Sequence, residues 1–172
     1  IGSRVADICL ALGMKVIISS RAGTLPESHR HANNPNVTVV KEWEPLLQNS
    51  DYVSIHCPLN DETRGSFGRT ELEQMKPTAY LINTSRGAIV REDELIDCLQ
   101  EKIIAGAGLD VTTTEPPSPD SPLWDLSNAW LSPHTGWRRL ETRQRLVDMT
   151  ADSIQAYCDA NHDERNFINV VN

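Results

Sequence analysis

Six short apolar runs recur along the chain, and the segments between them carry helical or turn spacing. The runs are "MKVIIS" (14–19), "VTVV" (37–40), "DYVSIHC" (51–57), "AYLINT" (79–84), "IIAGAGLDV" (103–111) and "NAWLS" (128–132). Most are continuously apolar rather than strictly alternating, the pattern of strands buried on both faces of a parallel sheet. Between them, "SRVADICLAL" (3–12), "EWEPLLQN" (42–49), "GRTELEQM" (68–75) and "REDELIDCLQ" (91–100) read as helices. In the first of these, Val5, Ile8, Cys9 and Leu12 fall at helical spacing, and Gly13 supplies a C-terminal stop. Arg138 to Ala160 reads as a long amphipathic helix, with Leu146, Val147, Thr150, Ile154 and Tyr157 on one stripe. Strands alternating with helices predict an α/β fold, a doubly wound parallel sheet covered on both faces.

That architecture says where to look for chemistry, because ligands bind outside the carboxyl ends of the strands of such sheets. Polar residues stand immediately after the predicted strands: Ser20-Arg21, His56, Arg86, Asp110 to Glu115, and His134. Five strand ends converging on one edge carry more weight than any of these residues alone. His134 by itself, between Pro133 and Thr135-Gly136, reads as a hydrogen-bonded structural histidine, and Arg86 by itself as a surface ion-pairing group.

The rest of the composition excludes other classes. With 172 residues the chain is one domain, and 39% hydrophobic with 23% charged residues fits a globular protein. Sixteen basic against twenty-four acidic residues leave a net charge of −8, which argues against binding a nucleic acid backbone. No apolar run approaches a membrane span and no leader pattern opens the sequence. Cys9, Cys57, Cys98 and Cys158 are widely spaced, so buried reduced thiols are expected, with no metal site, in a reducing, cytoplasmic compartment.

The chain begins "IGSRVA", directly before the first helix and strand. In a dinucleotide-binding fold the turn G-x-G-x-x-G precedes that helix, and its last glycine permits close helix–strand packing. Gly2 fits that last glycine. The first two glycines and the strand before them then lie upstream of residue 1. Without that normally central strand, the chain by itself is expected to be unstable or to associate.

Five segments carry a family resemblance: "VSIHCPLNDETRG" (53–65), "LINTSRGAIV" (81–90), "GAGLDVTTTEPP" (106–117), "SPLWDLSNAWLSPHTGW" (121–137) and the ending "NVVN". Together they resemble the nucleotide-binding domain of the D-isomer-specific 2-hydroxyacid dehydrogenases. The "PHTGW" context and the "NVVN" ending point to the glycerate dehydrogenase and hydroxypyruvate/glyoxylate reductase branch. The whole chain, 1–172, is then a partial dinucleotide-binding domain that lacks its substrate domain, with the residues from about 138 reaching toward it.

The resemblance implies roles. Arg86 is the arginine of the family's N-T-x-R-G motif, Glu115 the glutamate of its L-D-V-…-E-P motif and His134 the histidine of its P-H motif. Arg86 would hold a 2-keto acid's carboxylate and polarise the adjacent carbonyl. Glu115 would orient the His134 ring and favour its protonated form. His134 would then exchange the proton with the substrate oxygen while a nicotinamide exchanges hydride with the carbon. Asp110 would lie near the carboxamide of the cofactor, or cap its strand. Thr84 and His56, Cys57 and Pro58 would line the cofactor, chiefly through backbone atoms, and for His56 a structural role is as plausible. Trp137 would form an apolar wall, against substrate or in the core.

For the cofactor itself, an acidic residue after the second strand of the fold would accept hydrogen bonds from the ribose 2′-hydroxyl of NAD. Here Ser19-Ser20-Arg21 stands instead, with Ser20 at the acidic position. A hydroxyl and a guanidinium favour NADP over NAD, and Arg30 offers a second charge. If Arg21 is only solvated, or stacks on adenine, either cofactor fits. The implied partner is a small 2-keto or 2-hydroxy acid, and a homodimer is expected. Related corepressors keep this fold as cofactor-sensing binding proteins. Formate dehydrogenases also resemble it but carry glutamine where Glu115 stands.

Overall fold

The computed structural model describes residues 1–159 and divides the chain into two compact units, one from Ile1 to Pro133 and one beginning at His134. The first unit runs α1 (Gly2–Ala11), β1 (Val16–Ser19), β2 (Val37–Val40), α2 (Glu44–Asn49), β3 (Tyr52–Ile55), α3 (Arg69–Leu72), β4 (Tyr80–Asn83), α4 (Glu92–Gln100), β5 (Gly106–Leu109) and β6 (Ala129–Leu131). Single 3-10 turns at Gly87–Ile89 and Pro122–Asp125 interrupt the loops. All the predicted strands are present, and every pairing is parallel.

The strands form two sheets: β1 pairs with β2, and β3-β4-β5-β6 lie side by side in chain order. Leu47 of α2, Leu72 of α3, and Leu95, Cys98 and Leu99 of α4 are buried in one cluster with Val53, Ile55, Leu81, Ala107 and Leu109 of the four-stranded sheet. Successive residues of a strand point to opposite faces, so these side chains occupy one face.

The other face differs from the expectation of two-sided cover. Tyr52 and Trp130 are each 58% exposed there. With Tyr80, Ile82 and Gly108 they line an open groove of about 380 Å³. Tyr80 stacks on Tyr52 at 5.8 Å and lies 5.9 Å from Trp130. The reason is topological. When parallel strands are added in one direction, right-handed crossovers place their connecting helices on a single side. An apolar run does not reveal strand order, so the sequence reads as buried on both faces. Gly106 belongs to this aromatic row, because a Cβ there would lie 2.9 Å from both the Tyr80 and Trp130 rings.

The second unit begins at His134 and contains α5 (Leu140–Asp159). No residue of α5 is buried, and Leu146, Val147, Ile154 and Tyr157 of the predicted stripe are exposed. Trp137 is exposed too, with the Arg143 guanidinium 5.6 Å from its ring centre, so a core role for this indole is not what the structure gives. Cys98 is buried, Cys9 and Cys57 half-buried and Cys158 exposed; all four are free thiols, so burial holds for only some of them. The "NVVN" ending lies outside the described residues.

Candidate functional site

Ser20-Arg21, His56, Arg86 and Asp110 each follow the last residue of a strand by one to three positions. Since all pairings are parallel, the strands within each sheet end at a common edge, where these residues gather. Two contacts tie the segment after β3 to the β1 end and to the start of α1. The Arg21 guanidinium pairs with Glu62 at 2.8 Å, and Gly2, opening α1, lies against His56. A Cβ on Gly2 would come 3.3–3.4 Å from the His56 side chain. The start of α1 thus packs closely on the turn after β3, and no side chain caps α1 in front of Gly2.

Beyond β3 the chain is tied down by its own polar groups. His56 Nε2 lies 2.9 Å from the Ser54 hydroxyl, and burial pushes its imidazole below the usual value. Burial likewise pushes the Cys57 thiol up, which disfavours a thiolate. The Cys57 carbonyl accepts the Ser85 hydroxyl at 2.6 Å, and the Pro58 carbonyl accepts the Thr63 hydroxyl at 2.7 Å. The backbone carbonyls of Cys57 and Pro58 are therefore structural groups at this edge.

The turn "NTSRG" after β4 is built around Asn83, which is 1% exposed. Its Oδ1 accepts the Ser85 N–H at 3.0 Å, and its Nδ2 donates to the Arg86 carbonyl at 3.0 Å. Thr84 is held exposed at the crest, and exposed Arg86 donates to the Ser85 carbonyl at 2.7 Å. Gly87 then runs into the segment after β5, where its missing Cβ would stand 2.0 Å from the Thr112 carbonyl carbon. Side-chain volume is excluded there, so the Arg86 backbone is pressed onto the strand-end loop that carries Glu115.

That loop is organised by short-range bonds and by bonds from α4 and from the end of β6. Glu115 Oε1 accepts the Thr112 N–H at 3.3 Å, and the Thr112 hydroxyl donates to the Thr114 carbonyl at 2.8 Å. From α4, Glu92 accepts the Thr113 N–H at 2.7 Å. Asp110 is 8% exposed and accepts a short hydrogen bond from the Ser132 hydroxyl, while the Ser132 N–H donates to the Leu109 carbonyl at 2.9 Å. Asp110 thus ties the ends of β5 and β6, the capping role anticipated for it.

His134 opens the second unit. Its ring is half-buried and its backbone is left-handed, with φ of 49°. Histidine tolerates that region better than most residues, but it remains uncommon outside glycine and is a feature of constrained sites.

In the loop between β1 and β2, Ser20 donates its hydroxyl to the Thr24 carbonyl at 2.9 Å. Arg30 is committed to Asp7 of α1 at 2.7 Å, and buried His31 approaches the other Asp7 oxygen at 3.1 Å. The second positive charge read from the sequence therefore has a carboxylate partner in this structure.

Sequence reasoning passed over Asn83, Ser85, Gly87, Glu92 and Ser132. Asn83 carries a detectable signal, a polar residue at a core-facing position of an apolar strand. The other four reveal themselves only through contacts between distant segments.

Comparison with known proteins agrees with the parallel α/β fold. A glyoxylate reductase from Aeropyrum pernix is 43% identical over 157 residues, covering 91% of this chain and 45% of that protein. The NAD-complexed D-isomer specific 2-hydroxyacid dehydrogenase from Lactobacillus delbrueckii ssp. bulgaricus superposes with a TM-score of 0.78 and 30% identity, covering 97% of this chain and 52% of that one. The NADPH-dependent glyoxylate/hydroxypyruvate reductase from Sinorhizobium meliloti, in complex with NADP and sulfate, gives 0.79 at 25% identity, covering 98% and 52%. The chain spans about half the length of the curated relatives it matches. Residues 1–136 match the family described as "D-isomer specific 2-hydroxyacid dehydrogenase, NAD binding domain", and the chain belongs to that family.

Proposed function

We propose that the whole protein transfers hydride between a nicotinamide cofactor and a small 2-keto or D-2-hydroxy acid of the glyoxylate or hydroxypyruvate/glycerate type. The observation that carries this reading is the contact of Gly87 with Thr112, which puts Arg86 and the Glu115 loop on one rigid piece at the sheet's C-terminal edge.

The residues of that edge fit a dinucleotide. Gly2 leaves the space beside His56 that a side chain would fill, and the start of α1 is a place where a pyrophosphate meets backbone N–H groups. Gly2, Ser20, Arg21, His56, Cys57, Pro58, Thr84 and Asp110 would line the cofactor. When bound, a reduced nicotinamide supplies the hydride. Arg86, a planar fork of permanent positive charge, holds the carboxylate and draws charge onto the keto oxygen. His134 delivers the proton to the oxygen in reduction and removes it in oxidation, with Glu115 orienting the ring.

We favour NADP(H) over NAD(H), because Ser20 stands at the acidic position and Arg21 is exposed beside it. We also propose a homodimer, supported by the aromatic side chains left exposed on the sheet. A cytoplasmic location is supported by the four free thiols. No helix of the described residues is long and apolar enough to cross a membrane. The names of the relatives, reductases and dehydrogenases, favour an enzyme over a cofactor-sensing binding protein.

The deciding experiment assays the full-length protein against a panel of small 2-keto acids with NADPH and with NADH. His134→Ala should lower turnover by about 10²–10⁴-fold. Arg86→Ala should lower turnover and also raise KM for the keto acid. Near-wild-type turnover in His134→Ala overturns the reading, and a strong NADH preference overturns the cofactor choice. Light scattering of the same preparation measures the oligomeric state.

A further inference from the structure

Thr113, Thr114 and Glu115 are all exposed, so apolar burial does little to fix the position of the Glu115 carboxylate. Glu92, the first residue of α4, reaches this stretch from another element: its Oε2 accepts the Thr113 N–H at 2.7 Å. The two residues are 21 positions apart in the chain. Asp93 and Glu94 share the first turn of α4, so the helix does not need a third carboxylate for its dipole. Glu92 instead spends its charge on a backbone N–H of the neighbouring strand-end loop, and such charge-assisted hydrogen bonds are short and strong.

Two anchors therefore act on one loop from the same side of the fold. Gly87 abuts the Thr112 backbone, and Glu92, five residues later, grips Thr113. Both contacts fall on the one peptide unit that joins Thr112 to Thr113. Glu115 folds back onto the Thr112 N–H, so its carboxylate is indexed to the peptide next to the one that Gly87 and Glu92 hold. Arg86 adjoins Gly87, which makes the substrate-binding guanidinium and the orienting carboxylate two ends of one braced unit.

We propose that Glu92 is a positioning residue for Glu115: by holding Thr113 it fixes the stretch of chain that carries the Glu115 carboxylate. This rests on the reading of Glu115 as the orienting carboxylate. The proton-transfer geometry tolerates little displacement, and a shift of about 1 Å can cost on the order of a hundredfold in rate.

The test uses the full-length enzyme with Glu92→Ala, Glu92→Gln and, as a reference, Glu115→Gln. Amide hydrogen exchange of the peptide spanning residues 110–116 is followed beside steady-state kinetics. Glu92→Ala should speed exchange at Thr113 and lower kcat by about tenfold to a hundredfold, with KM for the cofactor within about twofold of wild type. Glu92→Gln keeps an oxygen that accepts the Thr113 N–H, so it should restore slow exchange and most of kcat. Unchanged exchange in Glu92→Ala overturns the proposal. So does faster exchange with wild-type kcat while Glu115→Gln is impaired, since the loop would then be held without consequence. Loss of kcat that Glu92→Gln fails to restore marks a merely structural role and also overturns it. If Glu115→Gln itself retains wild-type kcat, the reading of Glu115 fails and takes the proposal with it, a result told apart by exchange that still responds to Glu92. Should Glu92→Ala fail to fold, Glu92→Asp, whose carboxylate is one methylene shorter, carries the same comparison.

Discussion

Gly87 and Thr112 meet backbone to backbone, so closely that a Cβ on Gly87 would stand 2.0 Å from the Thr112 carbonyl carbon and 2.1 Å from its oxygen. Neither atom is the end of a flexible side chain, so one of the two strand-end loops has to move if Gly87 gains a methyl group. Gly87→Ala should therefore cost about 1–3 kcal/mol of stability in the full-length enzyme. It should also lower kcat by about tenfold or more, because the displaced loops carry Arg86 and Glu115. Denaturant unfolding and steady-state kinetics on one preparation check both effects. Wild-type values would mean the contact is not rigid.

Asn83 makes the same turn from inside. It sits 1% exposed and bridges the Ser85 N–H and the Arg86 carbonyl at 3.0 Å each. Asn83→Ala leaves these backbone groups without the partner their turn was built on, a loss of about 1–3 kcal/mol. Asn83→Asp keeps the acceptor for Ser85 and loses the donor to Arg86, so it should fall between alanine and wild type. The ordering of urea midpoints tests this.

The sequence makes the strand ends legible because continuous apolar runs are hard to place anywhere but in a parallel sheet, and such a sheet brings its carboxyl ends together. "VTVV" is a strand over its whole length, and Arg86 and Asp110 fall where strand-end residues were expected. At "IIAGAGLDV" the strand begins only at Gly106. Lys102 turns with φ of 59°, and Ile104 is fully buried in the connection rather than in the sheet. Apolarity reports burial, and burial is not confined to strands. Strand order is equally silent in composition, which is why "DYVSIHC" and "NAWLS" read as strands of a sheet covered on both faces while Tyr52 and Trp130 stand exposed. The braces of the site, Gly87 on Thr112 and Glu92 on Thr113, join segments more than 20 residues apart, and no local pattern encodes them. Arg30 illustrates the converse. Its charge is visible in the sequence, and its commitment to Asp7 is not.

Glu94 gives the fold a dependence on acidity. Its carboxylate accepts the Arg69 N–H at 2.6 Å and the Arg91 guanidinium at 3.2 Å. The backbone hydrogen bond first, and then the guanidinium, hold its carboxyl below the usual value. The folded protein thus binds this proton less readily than the unfolded chain. The stabilisation is present above the ordinary glutamate range and is lost as pH falls through the lowered folded value. Glu94→Gln should unfold more easily than wild type near neutral pH, and the gap between their midpoints should close as pH falls below the ordinary glutamate range. A gap that stays constant with pH would assign the effect to shape rather than charge.

Arg21 faces Glu62 across the edge between the ends of β1 and β3, at 2.8 Å, with both side chains largely exposed. If Arg21 receives the 2′-phosphate of NADP(H), it must leave or share that carboxylate, and Glu62 opposes the phosphate's charge. An exposed pair of this kind is worth only about 0.2–1 kcal/mol, so the opposition is modest. Glu62→Gln should tighten NADPH binding by roughly 1.5- to 5-fold, the equivalent of that range, and leave NADH nearly unchanged. Arg21→Ala should weaken NADPH binding and spare NADH. In the double variant the benefit of Glu62→Gln should vanish, because it acts through Arg21. Fluorescence titration of the full-length enzyme with each cofactor reads all of these. Equal gains for both cofactors in Glu62→Gln would show that Glu62 acts on a part the two share, and would remove Arg21 from the discrimination.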